Sequence, residues 1–284
     1  MKPCVFQLLV VAGLLWPASG TAQQATDSPA AVQPGKGQWA VRQLVRYDRY
    51  DDANTRNGRG QVDQVIHETV AAYGLARNWA AMVHVPLLYR EFFENIGVVP
   101  DSDLADGFGV GDLNLMLQHR FWQSDQPGTD TARAVLLGGV EVPSGDADFS
   151  TGSFDPFVGV AYTQISGRHG LNATAVFKVN TGGLELPVRF DHGPDDSVRL
   201  DGSYLYRLAP GVYTAQTTGS AYAQVQVLGR YETNGDTEVL VAPGYLYEAP
   251  GWAFEATVRL ALLQSLDERP EVDVGLTLGL RFLF

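Results

Sequence analysis

The chain has 284 residues, 31 of them glycine and 11% aromatic, with 20 basic against 32 acidic residues and a formal charge of −12. That acidic balance argues against nucleic acid as a partner, because phosphates need a basic face. The one cysteine, Cys4, leaves no disulfide to hold an exported fold together, and the glycine and aromatic content suits strands with tight turns.

Residues 1–22 read as a secretory signal peptide: Lys2 precedes an apolar run from Val5 to Trp16, and small residues follow to Ala22. The run is too short for a transmembrane helix. Cys4 lies ahead of it, whereas a lipid-anchoring cysteine would follow. Residues 23–37 are rich in Ala, Gln and Pro without periodicity, and predict a flexible N-terminal tail.

Residues 38–284 read as one domain of about twelve strands, near 38–47, 62–73, 79–90, 109–121, 132–142, 154–165, 171–180, 198–208, 221–231, 237–247, 252–262 and 272–284. The last is the clearest. Val272, Val274, Leu276, Leu278, Leu280, Phe282 and Phe284 alternate with Asp273, Gly275, Thr277, Gly279 and Arg281, so one face is greasy and the other small or polar. A terminal Phe on such a strand resembles the signal by which outer-membrane barrels reach their assembly machinery. Strand 109–121 repeats the plan, with Leu113, Leu115 and Leu117 facing out and Asp112, Asn114, Gln118 and Arg120 facing in. In strand 62–73, His67 and Glu68 cannot both point inward, and the facing stays open.

The connections alternate in length: 48–60, 91–106, 143–153 and 181–196 are long and acidic, and 74–78, 166–170 and 248–251 are short. Short periplasmic turns and longer outer loops mark a bacterial barrel, although 122–131 and 209–219 are longer than that rule predicts. Aromatics near strand ends, among them Trp39, Tyr73, Trp79, Trp122, Tyr247, Trp252 and Phe284, fit two interfacial girdles. The expected fold is therefore all-β: a single closed antiparallel transmembrane β-barrel of the outer-membrane type. In lipid an open sheet edge would leave amides and carbonyls without partners, so the sheet must close. Pro86 and Pro243 fall inside strands, each removing a ladder hydrogen bond, and a local wall distortion is expected at Pro243–Gly244.

Three motifs carry a resemblance. Gly109-Val110-Gly111-Asp112-Leu113-Asn114-Leu115 with Arg120-Phe121, then Gly139 to Asp146 ending in Pro-Ser-Gly-Asp, then Thr151-Gly152-Ser153-Phe154-Asp155 match in order and spacing. Together they resemble the MetA-pathway of phenol degradation family. The resemblance implies an outer-membrane barrel of transporter type, some members being associated with aromatic-compound catabolism, with no catalytic residues.

Asp112, Asn114, Gln118, Arg120, Glu141, Asp155, Arg199, Asp201 and Arg259 are expected to face the lumen and contact a passing solute. The competing reading of each charge is a cross-ladder partner that holds register. Enzyme signals are poor. His67, His84, His119, His169 and His192 show no H-E-x-x-H spacing, no Gly-rich phosphate loop opens a helix, and no serine can be paired with His84. No catalytic residue, cofactor or metal is expected. The acidic loops (Glu91, Glu94, Asp101, Asp103, Asp106, Asp191, Asp195 and Asp196) could hold cations that bridge lipopolysaccharide, or simply be solvated.

The reading is a bacterial outer-membrane channel or transporter for passive uptake of small molecules, aromatic or hydrophobic compounds among them. Its expected partners are outer-membrane lipid and lipopolysaccharide, the barrel-assembly machinery and a small-molecule substrate. The alternatives are a structural or adhesive barrel plugged by side chains and the tail, and, third, a barrel hydrolase.

Overall fold

A computed structural model of the protein describes residues 24–284 apart from 56–57, 94–106, 127–129, 184–193 and 268. The signal-peptide segment and the acidic residues Glu94, Asp101, Asp103, Asp106 and Asp191 lie outside the described residues. The strands are β1 (Trp39–Thr55), β2 (Gly58–Ala76), β3 (Trp79–Phe93), β4 (Gly107–Val110), β5 (Leu113–Asp125), β6 (Thr131–Val142) and β7 (Asp155–Ser166). They continue as β8 (His169–Lys178), β9 (Ser197–Ala209), β10 (Ser220–Glu232), β11 (Thr237–Ala249), β12 (Trp252–Ser265) and β13 (Glu271–Leu283).

Each strand pairs antiparallel with its sequence neighbour, except that β4 and β5 both pair with β3, and β1 pairs with β13 from Ala40↔Leu283 to Asp51↔Glu271, which closes the sheet. Because β4 and β5 are two halves of one wall position, the 13 segments make a barrel of twelve strands. The interruption falls at Gly111–Asp112, and the Gly111 amide donates to the carbonyl of Pro86 at 3.0 Å. Pro86 has no N–H to return, so the ladder between β3 and its neighbour breaks there. The expected distortion at Pro243 is confined to one side: pairing to β10 runs through Val225↔Pro243, while pairing to β12 skips Ala242 and Pro243 and resumes at Gly244↔Thr257.

The faces are inverted relative to a water-soluble sheet. On β13, Leu278 is 55% exposed and its neighbour Thr277 is 0% exposed; on β12, Glu255 is likewise 0%. Leu115, Leu117, Val158, Leu200, Val227 and Leu260 continue the exposed belt around the wall. Lipid tails solvate such side chains, so burial in a protein core is not required of them. The rim that carries both sheet ends, where Trp39 and Phe284 exchange backbone hydrogen bonds, also carries the short turns. It is the periplasmic rim by the length rule. Ring contacts cluster there: Trp39–Tyr73 at 4.8 Å, Trp79–His119 at 4.2 Å and Tyr247–Trp252 at 5.5 Å.

Two expectations change. Residues 48–60, expected as a polar loop, largely extend β1 and β2, which run to 17 and 19 residues. Beyond the bilayer a hairpin is held by its own backbone ladder and needs no greasy face, so hydropathy does not mark its end. The strand expected over 109–121 is broken in two, and β5 continues to Asp125, which shortens the turn that had looked too long.

Candidate functional site in the barrel lumen

The inner wall has two unlike halves. From β9 through β13 to β1 it is charged, and the charges are paired. Arg42 donates to Glu255 from Nε and Nη2, at 2.6 and 2.8 Å; Arg259 meets Asp48, Arg281 meets Glu248 and Arg199 meets Asp201, each at 2.7 Å. Arg46 meets Glu68 of β2 at 3.0 Å, and Glu68 Oε1 also accepts from His84 Nδ1 at 2.7 Å in the tautomer that carries the proton there. That settles the facing of β2: Glu68 points inward.

The alternating glycines of β13 explain how these pairs fit. In register, Asp48, Gly275 and Arg259 are neighbours, as are Leu44, Gly279 and Glu255. A Cβ on Gly275 would sit 2.5 Å from Asp48 Oδ1, and one on Gly279 would sit 2.6 Å from Glu255 Cγ. The Asp48–Arg259 pair bridges β1 and β12 across the backbone of β13, and only a residue without a side chain leaves that path open.

From β2 to β8 the wall is layered instead. An outer layer of His84, Asn114, Glu141 and Asp155 follows the register from strand to strand. Lys178 joins its last two members, 3.1 Å from Glu141 and 3.5 Å from Asp155. Val70 beside His84, and Met82, Met116, Leu137, Phe157 and Val176 below this layer, line a cavity of about 1250 Å³ that extends to the charged half. Gly139 lies between Met116 and Phe157 in register and leaves space for the Phe157 ring.

The tail lies inside this lumen. Thr26, Asp27, Ser28, Ala30 and Ala31 are buried, and their partners come from almost every side of the wall. Gln118 of β5 donates to the carbonyl of Ala30 at 3.1 Å, the Ala31 amide donates to Thr163 of β7 at 2.9 Å, and Thr174 of β8 donates to the carbonyl of Pro29 at 2.7 Å. Asp27 is the hub. Its carboxylate accepts from Gln226 at 3.1 Å, Thr257 at 2.7 Å and Thr277 at 2.9 Å, and Arg199 donates to its carbonyl. Burial alone would push this carboxyl up, but the Arg259 and Arg46 guanidiniums and the two threonine hydroxyls outweigh it and hold it below the usual carboxylate range. A segment with no periodicity of its own thus takes its order from polar groups of the wall.

The residues expected to face the lumen separate into groups. Asn114, Gln118, Glu141, Arg199, Asp201 and Arg259 line the cavity. Asp155 is fully buried in the outer layer, accepting from Ser153 Oγ at 3.1 Å and the Thr181 amide at 3.0 Å. Asp112 sits at the strand break and not beside Arg120. Its carboxylate accepts from the amides of Ser144 and Gly145 at 3.0 Å each, and from the Thr151 amide and hydroxyl at 2.7 and 2.9 Å. The three motifs thereby converge on one folded loop, with the Phe149 ring packed under the Arg90 guanidinium at 5.1 Å. Arg120 lies near the periplasmic rim and donates to the carbonyl of Arg77.

Alternation could also have found Arg42, Arg46 and Asp48, which face away from the exposed Trp39 and Val45. No periodic signal marks Asp27. The connection at 210–219 also turns toward the lumen: Tyr213 stacks under Arg207 at 4.1 Å and bonds the Tyr222 hydroxyl at 2.9 Å. Asp196 accepts from the Asn180 amide at 2.8 Å and Asp195 from Thr233 Oγ1 at 3.1 Å, so these two loop acids tie strand ends together. Among the described residues no cluster of His, Cys, Asp and Glu has the makings of a metal site.

No family model matches the chain, and no curated protein matches it. Solved structures do. The COG4313 outer membrane channel from Pseudomonas putida F1 superposes with a TM-score of 0.58 at 13% identity, covering 92% of this chain and all (100%) of that one. The NanC porin (TM-score 0.48, 12% identity, 86% and 98% covered) and the CymD monoaromatic hydrocarbon channel (0.41, 7%, 88% and 89%) are more distant. At these identities the first likeness establishes the fold, that of a bacterial outer-membrane β-barrel.

Proposed function

We propose that this barrel is a passive uptake channel for small, largely apolar molecules, aromatic or hydrophobic compounds among them. The observation that carries the reading is the layer of Val70, Met82, Met116, Leu137, Phe157 and Val176 facing the lumen cavity. A channel for sugars or ions has no use for inward methionines, whereas adaptable, polarisable side chains suit apolar guests of varied shape. The convergence of the three motifs on one loop supports membership of the phenol-degradation meta-pathway family. Asn114 and Glu141, beside the apolar layer, are the wall residues proposed to meet the solute, and Gln118 is proposed to hold the tail at Ala30. Asp112 and Asp155 are proposed to shape the entrance, and Arg199, Asp201 and Arg259 to hold the opposite wall. Assembly through the C-terminal strand and an outer leaflet of lipopolysaccharide belong to the same proposal.

The test is uptake of radiolabelled toluene and phenol by porin-poor bacteria expressing the barrel. Faster entry than in vector controls, with arabinose entry unchanged, is the expected result; equal toluene entry would end the proposal. One observation favours a second reading, a sealed barrel: the tail crosses the lumen on hydrogen bonds from β5, β7, β8, β10, β12 and β13. Absence of both current across planar bilayers and toluene uptake would favour it.

A further inference from the structure

Five lumen arginines (Arg42, Arg46, Arg199, Arg259 and Arg281) each have a carboxylate within 3.0 Å. Arg207 instead donates to the carbonyl of Pro210 at 3.1 Å, and three more meet no carboxylate. Among the described residues Arg77, Arg120 and Arg133 have no ion-pair partner, although they come together at the periplasmic end of β5 and β6. Arg120 donates to the Arg77 carbonyl, and the charges of Arg133, Arg77 and Asp125 all bear on it. Arg133, set against Gln123 in register, lines the cavity, and its Nε is buried with no hydrogen-bond acceptor. Asp125 is the local carboxylate, yet its oxygens are taken by Gln123 at 2.6 Å and Thr131 at 2.7 Å. Lys36 adds a further positive charge where the tail bridges to Gly74, three residues before Arg77. In a chain of net charge −12 this corner stands out.

Three guanidiniums drawn partly out of water beside one carboxylate, whose oxygens neutral donors already hold, are under-compensated, and their rigid forks match a carboxylate. The geometry points to an anion subsite at the periplasmic mouth, formed by Arg120 and Arg133 with Arg77 behind them, that takes the carboxylate of a small organic acid. The inference rests on the uptake reading and sharpens its substrate class. Met116 and Leu137 of the apolar layer lie on the same two strands, Leu137 packing on Ala31 where the tail crosses and Met116 one inward position beyond Gln118. An aromatic or aliphatic acid would leave its apolar body's site for a field that draws its head toward the periplasm.

The test is calorimetric binding of benzoate, with benzyl alcohol as the neutral control, to the purified mature protein in uncharged detergent. Benzoate should bind the wild type about tenfold or more tightly than the Arg120→Gln/Arg133→Gln variant, the loss expected for two charge-assisted hydrogen bonds. Benzyl alcohol should not distinguish them. The Arg120→Lys/Arg133→Lys variant, which keeps the charge and loses the fork, should fall between; heat-modifiable gel migration reports whether each variant is folded. Benzoate bound equally by all three proteins, or by none, overturns the subsite. So does benzoate binding that vanishes in phosphatidylglycerol nanodiscs, which would assign the cluster to lipid phosphate. Failed toluene uptake with benzoate binding intact would instead overturn the uptake reading.

Discussion

The two halves of the inner wall solve one problem in opposite ways. Both must give a closed sheet an interior without exposing lipid to charge. From β9 to β1 the wall carries guanidiniums and carboxylates that cross-brace neighbouring strands, with glycines on β13 clearing their path. From β2 to β8 the interior is layered, polar above and apolar below, and this apolar layer borders the cavity that both halves share. The lesson is that inward polarity in a barrel is not by itself a sign of transport. The charged half is braced by its own pairs, and the cavity runs between it and the half whose lower layer is apolar.

The sharpest way to break this comparison is to unpair the charged half. Arg42→Ala leaves Glu255, fully buried, without its partner, and a buried pair broken from one side costs roughly 3–5 kcal/mol. Met116→Ala in the other half should cost about 2 kcal/mol, the low end for such a truncation, since the side chain already borders empty space. Urea unfolding in detergent followed by tryptophan fluorescence compares the two; equal losses would mean that the halves do not differ as described.

A somewhat smaller effect is expected at the tail. Asp27→Ala removes three side-chain hydrogen bonds to a charged group, worth roughly 3 kcal/mol in total after the partners rehydrate, or about a hundredfold in the fraction of open lumens. Single-channel recording should show frequent open events absent from the wild type. The docked carboxyl is held below its undocked value, so its contribution is complete above the undocked pKa and is lost as pH falls through the docked one. Acid, not base, should therefore open the wild-type barrel, and an alkaline optimum for opening would contradict the role given to Asp27.

The smallest effect is local. Asp112→Asn exchanges an acceptor oxygen for a donor that faces backbone amides, costing about 1–3 kcal/mol at the 143–153 loop. Limited proteolysis should cut that loop sooner while the midpoint of global unfolding barely moves. A large drop in the midpoint would mean that the strand break is part of the barrel's main frame.

The lipid-facing belt was legible because period-two alternation in β5, β8 and β13 is a property of single strands. The Leu115/Leu117 and Leu276/Leu278/Leu280 sets are exposed as that pattern requires. The inward residues were legible as a face but not by role. Nothing in the neighbourhood of Asp112 in sequence says that it will hold Ser144 and Thr151, and nothing near Arg120 says that it will meet Arg77. Residues 48–60 misled because hydropathy reports the bilayer, and an extended hairpin outside it obeys only hydrogen bonding.

The sequence alone determined the architecture: alternating strands, turn residues and a greasy outer face leave a closed barrel as the arrangement that satisfies every backbone group in lipid. The tertiary structure decided what fills the lumen. The shear of the sheet sets which residues of distant strands stand side by side, and only that stagger brings Gln118, Thr163, Gln226 and Thr277 around one short segment of tail. A pattern along a strand fixes the face on which a side chain points; its partner across the lumen is fixed by closure.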